Sequence, residues 1–218
     1  MTGRPDMVDL GFVCVGARPA PTAAIPTLLL DLEVSEPSGR RVYGIGLRCQ
    51  IRIEPVRRRY AAAEAEALLD LFGETRRWGD TLKPIQVSTI SLMVPGFTGR
   101  TRVEIGIPCT YDTEVAAAKY FRALDEGEIP LLLLFSGSVF YAGGDGLVVE
   151  PVPWDREVTY RLPVATWRAL MDAHFPGTGW IRMRADTVAA LEQFRRSGMY
   201  SSWDDTFAAL LEARVVPT

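Results

Sequence analysis

The sequence predicts an α+β fold: an antiparallel β-rich domain over residues 1–155 with packed helices, and a C-terminal helical extension over residues 156–218 packed on it. Three observations carry this expectation. Val42 to Glu54 (VYGIGLRCQIRIE) has a clear period of two, with Ile45, Leu47, Cys49, Ile51 and Ile53 against Arg48, Gln50, Arg52 and Glu54. One dry and one wet face is the mark of an antiparallel sheet. Glu128 to Trp154 (EIPLLLLFSGSVFYAGGDGLVVEPVPW) is the longest apolar run and reads as two strands joined at a Gly-rich turn, the first covered on both faces. Finally, a run of strands precedes a run of helices, which is the order of an α+β chain.

Taken in order, Gly11 to Gly16 alternates weakly and suits an edge strand. Ala17 to Pro26 is a Pro-rich connector, expected outside any sheet. Thr27 to Ser35 is a strand with Leu28, Leu30, Leu32 and Val34 on one face, and Glu36 to Arg40 is a turn. Tyr60 to Phe72 is rich in Ala, Leu and Glu and reads as a helix stopped by Gly73, followed by an irregular polar stretch, Glu74 to Lys83, that holds Trp78. Ile85 to Val94 and Arg100 to Ile107 read as a hairpin through Pro95–Gly99. Asp112 to Glu126 is an amphipathic helix with Asp112 as N-cap and Gly127 as stop. Pro163 to Phe175 opens on a proline, which costs nothing in a first helical turn. Arg184 to Arg196 and Ser201 to Ala213 are further helices, the last with Ser202 and Asp205 at capping-box spacing.

Composition narrows the function classes. The 218 residues are 48% hydrophobic and 23% charged, with net charge −3. That balance suits a globular protein and argues against nucleic-acid binding, which needs a strong basic field. No stretch reads as a signal peptide or a membrane helix, so the expected location is cytoplasmic with no membrane partner. The three cysteines, Cys14, Cys49 and Cys109, are odd in number and far apart, and read as small buried hydrophobes. Positive charge is nearly all arginine, with Lys83 and Lys119 the only lysines, so arginine richness is not read as recognition chemistry.

No motif carries catalysis. The one histidine, His174, falls on a helix beside Trp167, Leu170 and Met171, and reads as a core face with a polar tip rather than a base. A metal site from Cys14, Cys49, Cys109 and His174 lacks any ligand spacing. Gly143–Gly146 is followed by strand residues, so it reads as a hairpin turn rather than a phosphate loop. Arg57–Arg59 reads as a solvated turn, and Asp204 and Asp205 as helix-dipole partners. Of five tryptophans, Trp78, Trp154, Trp180 and Trp203 lie in or beside loops and helix starts, where aromatics either pin loops or anchor partners; Trp167 reads as core. We therefore expect no catalytic residues, no cofactor and no metal.

Two resemblances add to this reading. PTLLLDLEV, VYGIGLRCQIRIE and GEIPLLLLFSGSVF, with the order of hairpin and helix between them, resemble the export chaperone family SecB over about the first two-thirds of the chain. That resemblance implies a SecB-like antiparallel sheet, an exposed apolar groove for client chains, and edge pairing into dimers or tetramers. The stretches LRCQIRIEP, RWGDTLKP, MVPGFTG, PCTYDTEVAAAKYF and GEIPLLLLFSGSVFY resemble an uncharacterised actinobacterial family, a domain of unknown function found in nickel–iron hydrogenase gene neighbourhoods. This implies an accessory role. The expectation is a non-enzymatic protein that binds another polypeptide as a chaperone or assembly factor, in a groove lined by Trp78, Phe97 and Trp154. The alternative is a small-molecule or lipid-binding protein with a cavity between sheet and helices.

Overall fold

Eight strands between Gly11 and Pro163 build two antiparallel sheets with one shared interior. The computed structural model describes residues 9–109, 115–144, 146–178 and 183–213. In the first sheet β1 (Gly11–Pro19), β2 (Thr27–Ser35) and β5 (Arg100–Pro108) lie in the order β1-β2-β5. In the second, β4 (Ile85–Thr98), β3 (Arg41–Ile53) and β6 (Glu128–Gly143) are neighbours in that order. The far side of β6 is shared by β7 (Gly146–Pro151) and β8 (Glu157–Pro163). The expected inward residues Leu28, Leu30, Leu32 and Val34 of β2, and Ile45, Leu47, Cys49, Ile51 and Ile53 of β3, are all buried. Phe12 of β1 stacks on Phe135 of β6, ring centroids 4.4 Å apart, so the inner faces meet. The fold is α+β, as expected.

Several expectations change in detail. Ala17, Arg18 and Pro19 belong to β1 and pair with Leu30, Leu29 and Leu28; an edge strand tolerates the proline because its missing N–H faces away from the ladder. The expected hairpin of 85–107 is a corner: β4 pairs with β3 and β5 with β2, so the chain changes sheets at Gly99 (φ +76). Glu54, expected on the wet face, is buried. The helix expected over 60–72 is two short ones, α1 (Ala62–Ala67) and α2 (Leu69–Phe72), broken where Leu68 turns wholly into the core. A 3-10 turn over Thr75–Arg77 and a single turn, α3 (Trp78–Thr81), occupy the stretch expected to be irregular. β6 is central, but only its first half is apolar and covered on both faces; beyond Leu134 its outer face opens through Ser136, Ser138 and Phe140.

Helices complete the interior. α4 (Val115–Ala123) buries Ala117, Tyr120 and Phe121, and α5 (Val164–His174) buries Val164, Trp167 and Leu170. Phe121 and Trp167 stack with centroids 4.4 Å apart, which ties α4 to α5. The expected N-cap Asp112 lies outside the described residues.

By internal contacts the chain divides into two units, 1–176 and 177–218. The boundary expected after residue 155 therefore falls inside the first unit, because β8 pairs with β6 and α5 lies against β1, β2 and β8. The second unit is a helical hairpin of α6 (Ala185–Ser197) and α7 (Trp203–Ala213). Its capping box is present with aspartate in the usual glutamate place: the Asp205 N–H donates to Ser202 Oγ at 3.0 Å, and the Ser202 N–H to the Asp205 carboxylate at 3.2 Å.

Candidate functional site

The outer faces of the two sheets differ, the first carrying ion pairs with Val13 and Val15 exposed at its β1 edge. On the first, Arg18 pairs with Glu104 and Asp31, and Arg100 and Arg102 both pair with Glu33. Cross-strand charges of opposite sign are the ordinary way to leave a sheet face in water.

The outer face of the second sheet can be read row by row from its register. One end is polar: Thr159, Leu132, Arg52 and Gln86 form a row, then Glu157, Leu134, Gln50 and Thr89, then Ser136, Arg48 and Ser91. The other end is apolar. Pro151, Ser138, Gly46 and Met93 form one row, Val149, Phe140, Gly44 and Pro95 the next, and Leu147 and Ala142 the last. A bulge in β3 between Val42 and Gly44 sets Tyr43 beside them. Tyr43 is 55% exposed, Met93 66%, Leu147 63% and Val149 52%.

Glycine gives this end its shape. Gly44 puts no side chain on the middle strand, so Met93 on one side and Phe140 and Leu147 on the other wall a shallow trough of about 560 Å³. Gly137 of β6, on the neighbouring strand, is fixed by close approach. Its φ is +141°, and a Cβ there would sit 2.0 Å from the Gly46 carbonyl oxygen.

A second concavity, about 670 Å³, is lined by Arg57, Arg58, Arg59, Glu64, the 125–128 turn and Arg161. Apart from the exposed Arg59, its arginines are engaged in the fold. Arg58 and Glu64 form an ion pair with side chains 8% and 5% exposed. The Arg58 guanidinium also donates to the Glu128 carbonyl at 2.8 Å and the Glu126 carbonyl at 2.7 Å. The Glu64 carboxylate accepts the N–H groups of Ala61 and Asp125, both at 3.0 Å. Arg161 pairs with Glu128, and Asp125 with Arg168. The cluster clamps the turn that leads into β6. Arg57, expected to be merely solvated, donates to the Thr159 hydroxyl at 3.1 Å.

The three residues expected to line a groove are not brought together. Phe97 is buried in the core opposite Val42, because the segment read as a turn continues β4; it is no partner contact. Trp78 packs edge-on against Tyr60 and Phe72, and its indole N–H donates to the Gly73 carbonyl at 2.9 Å, so it pins a loop. Trp154 alone stands free, 92% exposed in the loop between β7 and β8. Trp203 lies under the Arg195 guanidinium, 5.0 Å from its ring centroid, and Trp180 is outside the described residues.

The polar candidates are structural. Cys14, Cys49 and Cys109 are free and buried. Burial pushes the Cys49 thiol up to about 12, and the Cys14 and Cys109 thiols up to about 11. Among the described residues no group of three or more His, Cys, Asp and Glu side chains could hold a metal ion. His174 holds its ring nitrogens 3.0 Å from the Leu170 carbonyl and 3.3 Å from the Ala23 carbonyl. Gly143 pairs with Gly146 across the expected tight turn, with Asp145 outside the described residues. Among the described residues no helix is long and apolar enough to cross a membrane.

Comparison with known proteins adds a family and little more. The sequence matches the family of unknown function DUF6084 over residues 7–217, and the chain belongs to that family. No curated protein matches it. Among solved structures, the selenomethionine-labelled β-glucosidase from Kluyveromyces marxianus matches with a TM-score of 0.25 and 7% identity over 71% of this chain. The same enzyme in complex with glucose gives 0.23 and 5% over 71%. The chain spans 15% of the length of either. Likeness that low carries no argument about fold or activity.

Proposed function

We propose that this member of DUF6084 is a non-enzymatic accessory protein that binds another polypeptide at the apolar end of its second sheet. The observation that supports this is the contrast between the two outer faces. One is laced with ion pairs and exposes only Val13 and Val15 among its large apolar side chains, while the other gathers Tyr43, Met93, Leu147 and Val149, each more than half exposed, at a glycine-floored trough. A contiguous apolar patch of this kind is what a partner surface looks like before it is covered. The reading of the chain as a chaperone or assembly factor rests on this patch, and nickel–iron hydrogenase assembly is the context we assign to it. The alternative, a ligand held between sheet and helices, draws less support, because Tyr120, Phe121 and Trp167 fill the interior there.

Site-specific photo-crosslinking in the native host tests the reading. A photoreactive side chain at Met93 is expected to trap a polypeptide, and the same group at Glu104 on the ion-paired face is not. The Leu147→Asp variant should abolish the crosslink while leaving thermal stability unchanged. Equal crosslinking from both faces, or none from Met93, would overturn the proposal. A trapped hydrogenase subunit would support the assembly role, and other clients would remove that part alone.

A further inference from the structure

The charges that border the trough specify its occupant more narrowly, on the premise that the trough is the polypeptide site. Arg48 stands one row beyond Gly46 on the same strand and face, and Arg41 stands past the Tyr43 bulge at the other end, opposite Thr98. Both are exposed. Among the described residues neither guanidinium has an ion-pair or hydrogen-bond partner, and Glu157, the carboxylate of the row next to that of Arg48, stands two strands away on β8. Elsewhere in the first unit the exposed arginines are mostly paired: Arg18, Arg100, Arg102, Arg161 and Arg168 all have acidic partners. Arg59 and Arg77 are likewise exposed without an acidic partner, so what distinguishes Arg41 and Arg48 is their place at the two ends of one apolar trough.

Size limits what can lie between them. The apolar rows cover three rows along the strands and four strands across, roughly 14 Å by 14 Å at about 3.3 Å per residue and 4.8 Å per strand. That is about 200 Å² in projection, a quarter of the roughly 800 Å² that each partner contributes to a standard interface. A second copy of the chain packed face to face on this patch alone would fall in the range of weak, wet contacts. A short segment fits better. The trough follows β3, and from Arg41 to Arg48 is roughly 20 Å, the span of about six extended residues. Its Gly44 floor leaves room for a peptide backbone between the Met93 and Phe140 walls.

We infer that the trough binds a short extended segment of about six mainly apolar residues flanked by carboxylates, with Arg48 and Arg41 each meeting an acidic end. The apolar core supplies most of the affinity, and the two arginines set the direction of charge preference.

The probes are two fluorescein-labelled decapeptides, each with the same six-residue core of leucine, valine and threonine. One is flanked on both sides by two aspartates, and its twin by two lysines. Anisotropy titrations with the full chain at 50 mM salt should show the aspartate peptide binding about tenfold tighter, since exposed pairs are each worth a few-fold and the twin meets repulsion instead. The gap should shrink at 500 mM salt. In the Arg41→Glu/Arg48→Glu variant the preference should reverse. Equal binding of both peptides, lost in Met93→Asp, would overturn the charge assignment and leave the polypeptide reading standing. Failure of both peptides to bind would overturn both, as would binding only to phosphatidylserine vesicles.

Discussion

Glu64 is the residue whose removal should cost the first unit most for its size. Its carboxylate accepts three donors at once: the Arg58 guanidinium and the N–H groups of Ala61 and Asp125. Glu64→Ala leaves the Arg58 charge 92% buried with two carbonyls and no counter-ion, and strips two amides of their acceptor. Leaving one partner of a buried pair uncompensated costs about 3–5 kcal/mol. For a unit of this length each kcal/mol shifts the midpoint by about 2–4 °C, so the thermal midpoint should fall by roughly 6–20 °C. Removing both charges is a different perturbation. Arg58→Met with Glu64→Leu exchanges the pair for apolar volume, and should recover a large part of the loss. Urea unfolding of Arg58→Met, Glu64→Leu and the double variant closes the cycle. If Glu64→Ala costs under about 1 kcal/mol, or if the two single losses simply add in the double variant, the clamp on the 125–128 turn is not what holds this region.

Other outcomes follow from the same structure. Gly137→Ala would force a Cβ to within 2.0 Å of the Gly46 carbonyl at φ +141°, so it should cost several kcal/mol (about 3 or more) and lower soluble yield, whereas Gly79→Ala, with open space around it, should not. Trp154→Ala should leave the urea midpoint within about 0.5 kcal/mol of the parent, because the ring is 92% exposed; a larger loss would mean that it packs in solution. The three buried thiols should be silent to a disulfide reagent at pH 8 in the native protein and react fully in urea. Because their native values, about 11 to 12, lie above the ordinary value of about 9, the fold holds these protons more tightly than the unfolded chain does. Their contribution is therefore complete below pH 9 and is lost as pH rises toward 11 and beyond, which titration of the urea midpoint should show.

The sequence showed the ladders where alternation was strict and local. β2 and β3 declared their inner faces, and Ser202 with Asp205 announced the last helix. β8 carried the same signal, Val158, Tyr160 and Leu162 against Glu157, Thr159 and Arg161, but it is short and follows the most apolar run of the chain, which masks it. Phe97 was misplaced because Pro95 and Gly96 look like a turn; in β4, an edge strand, the proline needs no ladder partner for its missing N–H. The trough was illegible for a different reason. Tyr43, Met93, Phe140, Leu147 and Val149 sit on four strands, and only the long-range register brings them to one face. Its sequence signal was weak but present: apolar residues at positions where the alternation of β3, β4 and β7 calls for polar ones.

The central ladder also dictates when this protein can fold. β3 is complete at Ile53, but its partner on one side is β6, which pairs Val42 with Tyr141 and Ile53 with Leu131. Closing contacts nearly a hundred positions apart is slow, because the loop entropy is lost before the ladder rewards it. During synthesis at about 5–20 residues per second, β2 and β3 therefore wait several seconds with their leucine and isoleucine rows uncovered before Tyr141 emerges. The nascent chain is thus itself in need of shelter during that interval. Its yield on fast translation should fall before that of any variant altered in the late-made helical hairpin.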